Sequence, residues 1–100
     1  MNPQIRVNRR KLAALCRKHH IRRLAFFGSV LGRDFRPDSD IDALVEFEPG
    51  QVVGFRIFRV EEELSHLLGG HPVDLVNPKY LNPRLKDQIL ASAQVQYAEK

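Results

Sequence analysis

The sequence predicts an α/β fold of the α+β kind, a small mixed sheet of three or four strands packed with helices. Three observations predict it. The segment "DIDALVEF" (40–47) alternates apolar and polar residues with a period of two, the mark of a strand with one covered face. The run Leu24, Ala25, Phe26, Phe27 is continuously apolar and stops at Gly28, as a short strand covered on both faces does. Around these strands lie segments whose apolar residues recur at helical spacing and which carry helix caps, so strands and helices alternate along the chain.

Asn8 can cap a first helix that runs to about His20. Leu12, Leu15, Cys16 and His19 share one of its faces, and Arg9, Arg10, Lys11, Arg17 and Lys18 occupy the rest. "IRRLAFFG" is the first strand, and a short helical turn and a basic, proline-containing loop lead to the second. There Ile41, Ala43, Val45 and Phe47 point one way and Asp40, Asp42, Leu44 and Glu46 the other. "EPGQ" turns the chain into an amphipathic helix from about 53 to 68, stopped by Gly69 and Gly70. "PVDLVN" is the third strand, and Asn82 with Pro83 caps a last helix carrying Leu85, Ile89 and Leu90. "VQYAEK" fits an edge strand or a tail equally well. With no repeat, linker or low-complexity tract, residues 1–100 are expected to form a single domain.

A chain of 100 residues, 43% of them hydrophobic, can fill one core of modest size. No apolar run approaches the roughly 18 residues a membrane span needs, and "MNPQIRVNRRKLAALCRKHH" lacks the apolar block of a signal peptide, so a cytoplasmic location is expected. The lone Cys16 allows no internal disulfide. The net charge of +4 hides a division: residues 1–36 carry ten Lys or Arg against Asp34 alone, and residues 37–63 carry eight acids against Arg56 and Arg59. The basic part suits phosphate, nucleic acid or an acidic partner, although a solvated helix face accounts for any one of its residues more simply.

Residues two apart on a strand project to one face, which brings the carboxylates of Asp40 and Asp42 into one small volume. Two such charges repel, and a hard divalent cation relieves the conflict. Magnesium takes a few carboxylate oxygens and completes its shell with substrate phosphate and water. Gly28 lets the backbone approach a ligand, and the helical turn after it offers N–H groups and the Ser29 hydroxyl to a phosphate. Arg33 and Arg36 in the following loop can neutralise further phosphate charge. Ser39 is placed to orient Asp40, though ordinary turn chemistry explains it as well. Asp74 sits between Val73 and Leu75, where an unpaired carboxylate is costly; a strand lying beside 40–47 would bring it to the same face and complete a two-metal site.

Other polar residues have plainer readings. His19 and His20 are adjacent on a helix and point apart, which disfavours a shared metal, and His66 and His71 are expected at the surface or in turns. Cys16, Tyr80 and Tyr97 are expected to pack, and Glu61, Glu62 and Glu63 to form a solvated helix face.

The ordered set in "FFGSVLGRDFRPDSDIDALVEF", followed by "HPVDLV", resembles the nucleotidyltransferase superfamily that includes DNA polymerase β: Gly-Ser, a loop, Asp-x-Asp, then a third acid on a later strand. "EFEPG" and "EELSHLLGGHPVDLVNPKYLNPRL" make the chain similar to its minimal members, the MNT antitoxins, from about Leu24 to Ala91. That resemblance implies a polymerase β-like fold, with Gly28 and Ser29 as the triphosphate-binding turn and Asp40 and Asp42 as ligands of magnesium, two ions in all. Asp74 would complete the metal site and help deprotonate the attacking hydroxyl. Many relatives carry an arginine where this chain has Gly32, with Arg33 one position on. The implied activity is transfer of AMP from ATP to a tyrosine of a helical HEPN toxin, with pyrophosphate released. A chain this short lacks room for a template, which favours a protein acceptor. Two other classes compete: an antitoxin that neutralises its toxin by covering it, and a small basic nucleic-acid-binding domain, which the absence of an aromatic stacking pattern on a strand disfavours.

Overall fold

The side-chain oxygen of Asn8 accepts the Lys11 N–H at 3.0 Å and starts helix α1, Arg9–Lys18, where the sequence places it. The computed structural model describes residues 7–32, 35, 36 and 38–99. After α1, His20 takes a left-handed φ of 58° and turns the chain into strand β1, Ile21–Phe27. A tight helical turn over Gly28–Leu31 buries Val30 and Leu31, and β2 follows at Ile41–Phe47. Then come α2 (Arg56–Leu67), β3 (Val73–Val76), α3 (Pro83–Ser92) and β4 (Gln94–Ala98).

The four strands form one mixed sheet in the order β3-β2-β1-β4. β1 runs antiparallel to both β2 and β4, whereas β2 and β3 are parallel, as the α2 crossover between them requires. The core lies on one face of the sheet. Leu12, Leu15 and Cys16 of α1 and Val60 and Leu64 of α2 pack there with Leu24 and Phe26 of β1, Ile41, Ala43 and Val45 of β2 and Leu75 of β3. Burial pushes the Cys16 thiol up to about 12, so it is a neutral core side chain rather than a nucleophile.

The ambiguous C-terminal segment is an edge strand. β1 has a second backbone edge to satisfy, and β4 satisfies it from Arg23 to Phe26. Asn82 caps α3 by accepting the Arg84 N–H at 2.9 Å, yet no residue of α3 is fully buried, and Leu85 and Leu90 stay exposed.

Three expectations need correcting. Glu61 and Glu63 are not a solvated face: Glu61 accepts the Leu75 N–H at 2.9 Å, and Glu63 accepts from Lys18 and pairs with the buried His19 at 3.1 and 3.0 Å. Only Glu62 among the three is exposed. Tyr80 does not pack but stands 81% exposed, because it lies in the short turn between β3 and α3, whereas Tyr97 packs against the core as expected. His71 is neither free nor peripheral, as the site shows.

Candidate active site

β1 ends where β2 begins, with Phe27 paired to Asp42, so the Gly28 turn emerges beside the Asp42 side chain. Gly28 has a φ of +76°, and a Cβ built on it would stand 2.7 Å from Asp42 Oδ2. Both facts demand glycine: a left-handed backbone, and a carboxylate resting on its open side. Ser29 is exposed at the start of this turn, and its carbonyl accepts the Gly32 N–H at 2.9 Å. Beside the turn, toward α3 and β4, an open groove of about 390 Å³ is lined by Gly28, Leu31, Gly32, Ser92 and Gln94.

The parallel register pairs Asp42 with Asp74, so the two acids are neighbours on one face of the sheet, with Cα atoms about 4.8 Å apart at ordinary strand spacing. That face is the one opposite the core. Asp74 is exposed there, so it does not bear the burial cost expected of an acid in an apolar strand; the apolar neighbours Val73 and Leu75 belong to the other face. Partial burial raises the Asp42 carboxyl above the usual carboxylate range, and the charges of Asp74 and then Asp40 push the same way. The three sequence-predicted acids therefore share one field, with Asp42 at its centre.

Among the described residues, no three His, Cys, Asp or Glu side chains are gathered closely enough to form a finished metal cage. The donor set nevertheless fits magnesium, which needs one or two protein carboxylates and fills its shell with phosphate oxygens and water. Asp42 and Asp74, side by side and mutually repelling, are such a pair. A closed cage would suit a structural ion better than one shared with a substrate.

The loop before Asp40 is held by contacts the sequence did not disclose. The Arg36 N–H donates to Ser39 Oγ and the Ser39 N–H donates to the Arg36 carbonyl, both at 2.9 Å, so the Ser39 hydroxyl closes a turn rather than orienting Asp40. His71 Nδ1 lies 3.1 Å from the Ser39 carbonyl, and its ring packs on Phe35 with centroids 4.8 Å apart. The Ile41 N–H donates to the Pro72 carbonyl at 2.8 Å. His71–Pro72 thus fastens the run into β3 to the run into β2, fixing Asp40 and Asp42 relative to Asp74. A His-Pro pair two residues ahead of an acid was the only sequence signal for this role. Arg36 is exposed on the same loop; Arg33 lies outside the described residues.

His71→Ala removes one hydrogen bond and one ring contact, about 1 kcal/mol in stability. Its larger expected effect is on positioning, with the rate of whatever chemistry the acids perform falling about tenfold because the Asp40 loop loosens. Steady-state kinetics beside thermal melts would check this: a loss in rate no greater than the loss in folded fraction would refute the positioning role.

Residues 9–95 match the family described as Nucleotidyltransferase domain. The chain is similar to a protein of Methanocaldococcus jannaschii named as a candidate protein adenylyltransferase, at 36% identity over 85 residues, which is 85% of this chain and 89% of that protein. A solved structure described as a candidate minimal nucleotidyltransferase superposes with a TM-score of 0.71 at 40% identity, covering 85% of each chain. The fold is shared further: a toxin-antitoxin crystal structure with AMP-PNP superposes at a TM-score of 0.73 and 20% identity, over 94% of this chain and 76% of that one. A complex of a tri-AMPylated Shewanella oneidensis HEPN toxin with its MNT antitoxin gives 0.65 at 19% identity, over 91% of this chain and 70% of that one. No helix among the described residues is long and apolar enough to cross a membrane.

Proposed function

The chain belongs to the nucleotidyltransferase domain family, and from that premise we propose that it transfers AMP from ATP to a tyrosine of a HEPN-type toxin, as the antitoxin of a cytoplasmic pair. The observation that carries the reading is the placement of Asp42, with its carboxylate against the Gly28 turn on one side and Asp74 in register on the other. The named activity of the Methanocaldococcus relative and the AMPylated toxin beside the Shewanella antitoxin support the acceptor class.

In this reading Gly28 and Ser29 hold the triphosphate, Arg36 and Ser39 lie on the loop beside it, and the positive charge of Arg33 is proposed as a further phosphate contact. Asp40, Asp42 and Asp74 hold magnesium. Bound to these carboxylates, magnesium would supply positive charge against that of a triphosphate and its leaving group. Asp74, exposed at the edge of the site, accepts the proton of the incoming hydroxyl. The hydroxyl oxygen bonds to the α-phosphorus, the bond from that phosphorus to the bridging oxygen breaks, and pyrophosphate leaves. The residues contribute mainly position and electrostatic complementarity.

The test incubates the chain with ATP labelled at the α-phosphate, magnesium and the helical protein encoded beside it, followed by peptide mapping. Label on a tyrosine of that protein is expected, and none with Asp42→Asn. No transfer, or transfer indifferent to that change, would refute the reading.

A further inference from the structure

We propose that the acceptor protein docks in the groove along the outer side of β3, and that this groove takes an amphipathic segment of the partner, apolar where it enters and acidic along its rim. This inference rests on the adenylyl-transfer reading above and adds to it the surface that selects the acceptor.

The groove, about 390 Å³, runs between the start of α2 (Ile57) with the residues before it (Val53, Gly54) and β3 with the turn after it (Val76, Tyr80, Leu81). Large exposed apolar side chains lie at it and next to it in the chain. Tyr80 lines it at 81% exposure; Val52 and Phe55, which flank Val53 and Gly54 in sequence, are 85% and 87% exposed, Phe55 in a neighbouring cleft with His19, Arg56 and Arg59. Phe58 is also exposed, and its ring stacks on Phe55 with centroids 6.3 Å apart. Single exposed apolar residues are ordinary, but a cluster around a concave surface marks an interaction site.

The charge around the groove identifies the occupant. A second cleft of about 290 Å³ shares Val53, Asn77 and Tyr80 with the first and extends it to Lys79 and Lys86. Arg56 and Arg59, in the opening turns of α2, add positive charge in the neighbouring cleft that holds Phe55. Among the described residues none of these four cations is in an ion pair, and Arg56 donates only to Gln51 Oε1, at 3.2 Å. The acids of the second cleft are already engaged: Glu46 with Arg22 and Arg23 at 3.4 Å each, and Glu48 with His20 at 3.1 Å. The uncompensated charge at the rim is therefore positive, which selects carboxylates on the partner.

The mode of docking follows from Glu61. Its carboxylate takes the Leu75 N–H on the side of β3 away from β2, so that edge donor is not free for an added strand, which favours docking through side chains. Val76, in the groove wall, is two residues beyond Asp74 on the same strand, about 7 Å away. A segment seated there brings a hydroxyl within reach of the acids.

The experiment uses the helical protein encoded beside this chain as the probe and two variants, Phe55→Ser with Tyr80→Ser, and Lys79→Glu with Lys86→Glu. All four positions lie outside the core, and melting curves would verify folding. Affinity for the partner, measured without ATP, is expected to weaken at least about tenfold in each variant, with KM for the acceptor rising in parallel. Binding of a magnesium–ATP analogue should not change. Unchanged partner affinity in both variants would overturn the docking surface. So would failure of the wild-type chain to bind the protein, or self-association lost in the Phe55 and Tyr80 variant, which would assign the groove to a second copy. A partner that binds but acquires no AMP would sink the adenylyl-transfer reading instead, and leave the groove to be judged by affinity alone.

Discussion

Asp42→Asn is expected to abolish adenylyl transfer while making the metal-free protein more stable. Asp42 is the acid nearest the centre of the shared field, touching the Gly28 turn and neighbouring Asp74. Charge stabilisation of this kind supplies several kcal/mol to a transition state, so its removal should cost about three powers of ten in rate. The stability effect has the opposite sign. Partial burial and the charges of Asp74 and Asp40 raise the folded-state pKa of Asp42 above its unfolded value. A raised acid contributes stability below the ordinary carboxylate pKa and loses it as pH rises through the folded value. At neutral pH with chelator, the ionised side chain is therefore a liability and asparagine should raise the melting temperature. That advantage should shrink toward acid pH. It should also shrink with magnesium and nucleotide, which stabilise only a chain that binds them. Melts with chelator at neutral and acid pH, beside melts with magnesium–ATP, give all three comparisons. A wild-type protein more stable than Asp42→Asn at neutral pH without metal would contradict the account.

Gly28→Ala is the second large effect. Alanine at a left-handed φ costs about 1–2 kcal/mol, and its Cβ would stand 2.7 Å from Asp42 Oδ2. The carboxylate must then turn away from the Gly28 backbone, and transfer is expected to fall about a hundredfold, as misplacement of a reacting group by about 1 Å can do. Gly50→Ala separates the two causes. Gly50 has a similar φ of +84° with nothing within 4 Å of a built Cβ, so the same backbone cost applies without the collision. It should lose stability but keep its rate at temperatures where it is folded. In the Asp42→Asn background, Gly28→Ala should cost little further activity, since both changes disable one arrangement. Additive losses would mean that Gly28 acts independently of Asp42.

Much of the site was legible because its chemistry is local in sequence. Gly28 ends an apolar run and Asp40 and Asp42 open an alternating one, so the turn and the shared face follow from backbone geometry alone. Asp74 was legible only conditionally: its value depends on β3 lying beside β2 in the register that pairs it with Asp42, and tertiary packing sets that register. The reason first offered for Asp74, an acid buried in an apolar strand, fails because its own side chain stands exposed at the edge strand of the sheet. β4 was ambiguous because an edge strand carries little alternation and is defined by the free edge of β1. His71 was legible only through its place in a His-Pro pair ahead of an acid, and Glu61 was not legible at all. Each acts on a backbone group distant in sequence, the Ser39 carbonyl and the Leu75 N–H, and periodicity carries no trace of such contacts.

The most direct test of the central claim compares ATP labelled at the α-phosphate with ATP labelled at the γ-phosphate, each given with magnesium to the chain and its helical neighbour. The account predicts that only the α label becomes bound to protein, that the γ label leaves entirely in pyrophosphate, and that both outcomes vanish with chelator. Retention of the γ label on protein would show phosphoryl rather than adenylyl transfer and contradict the arrangement assigned to Gly28, Asp42 and Asp74.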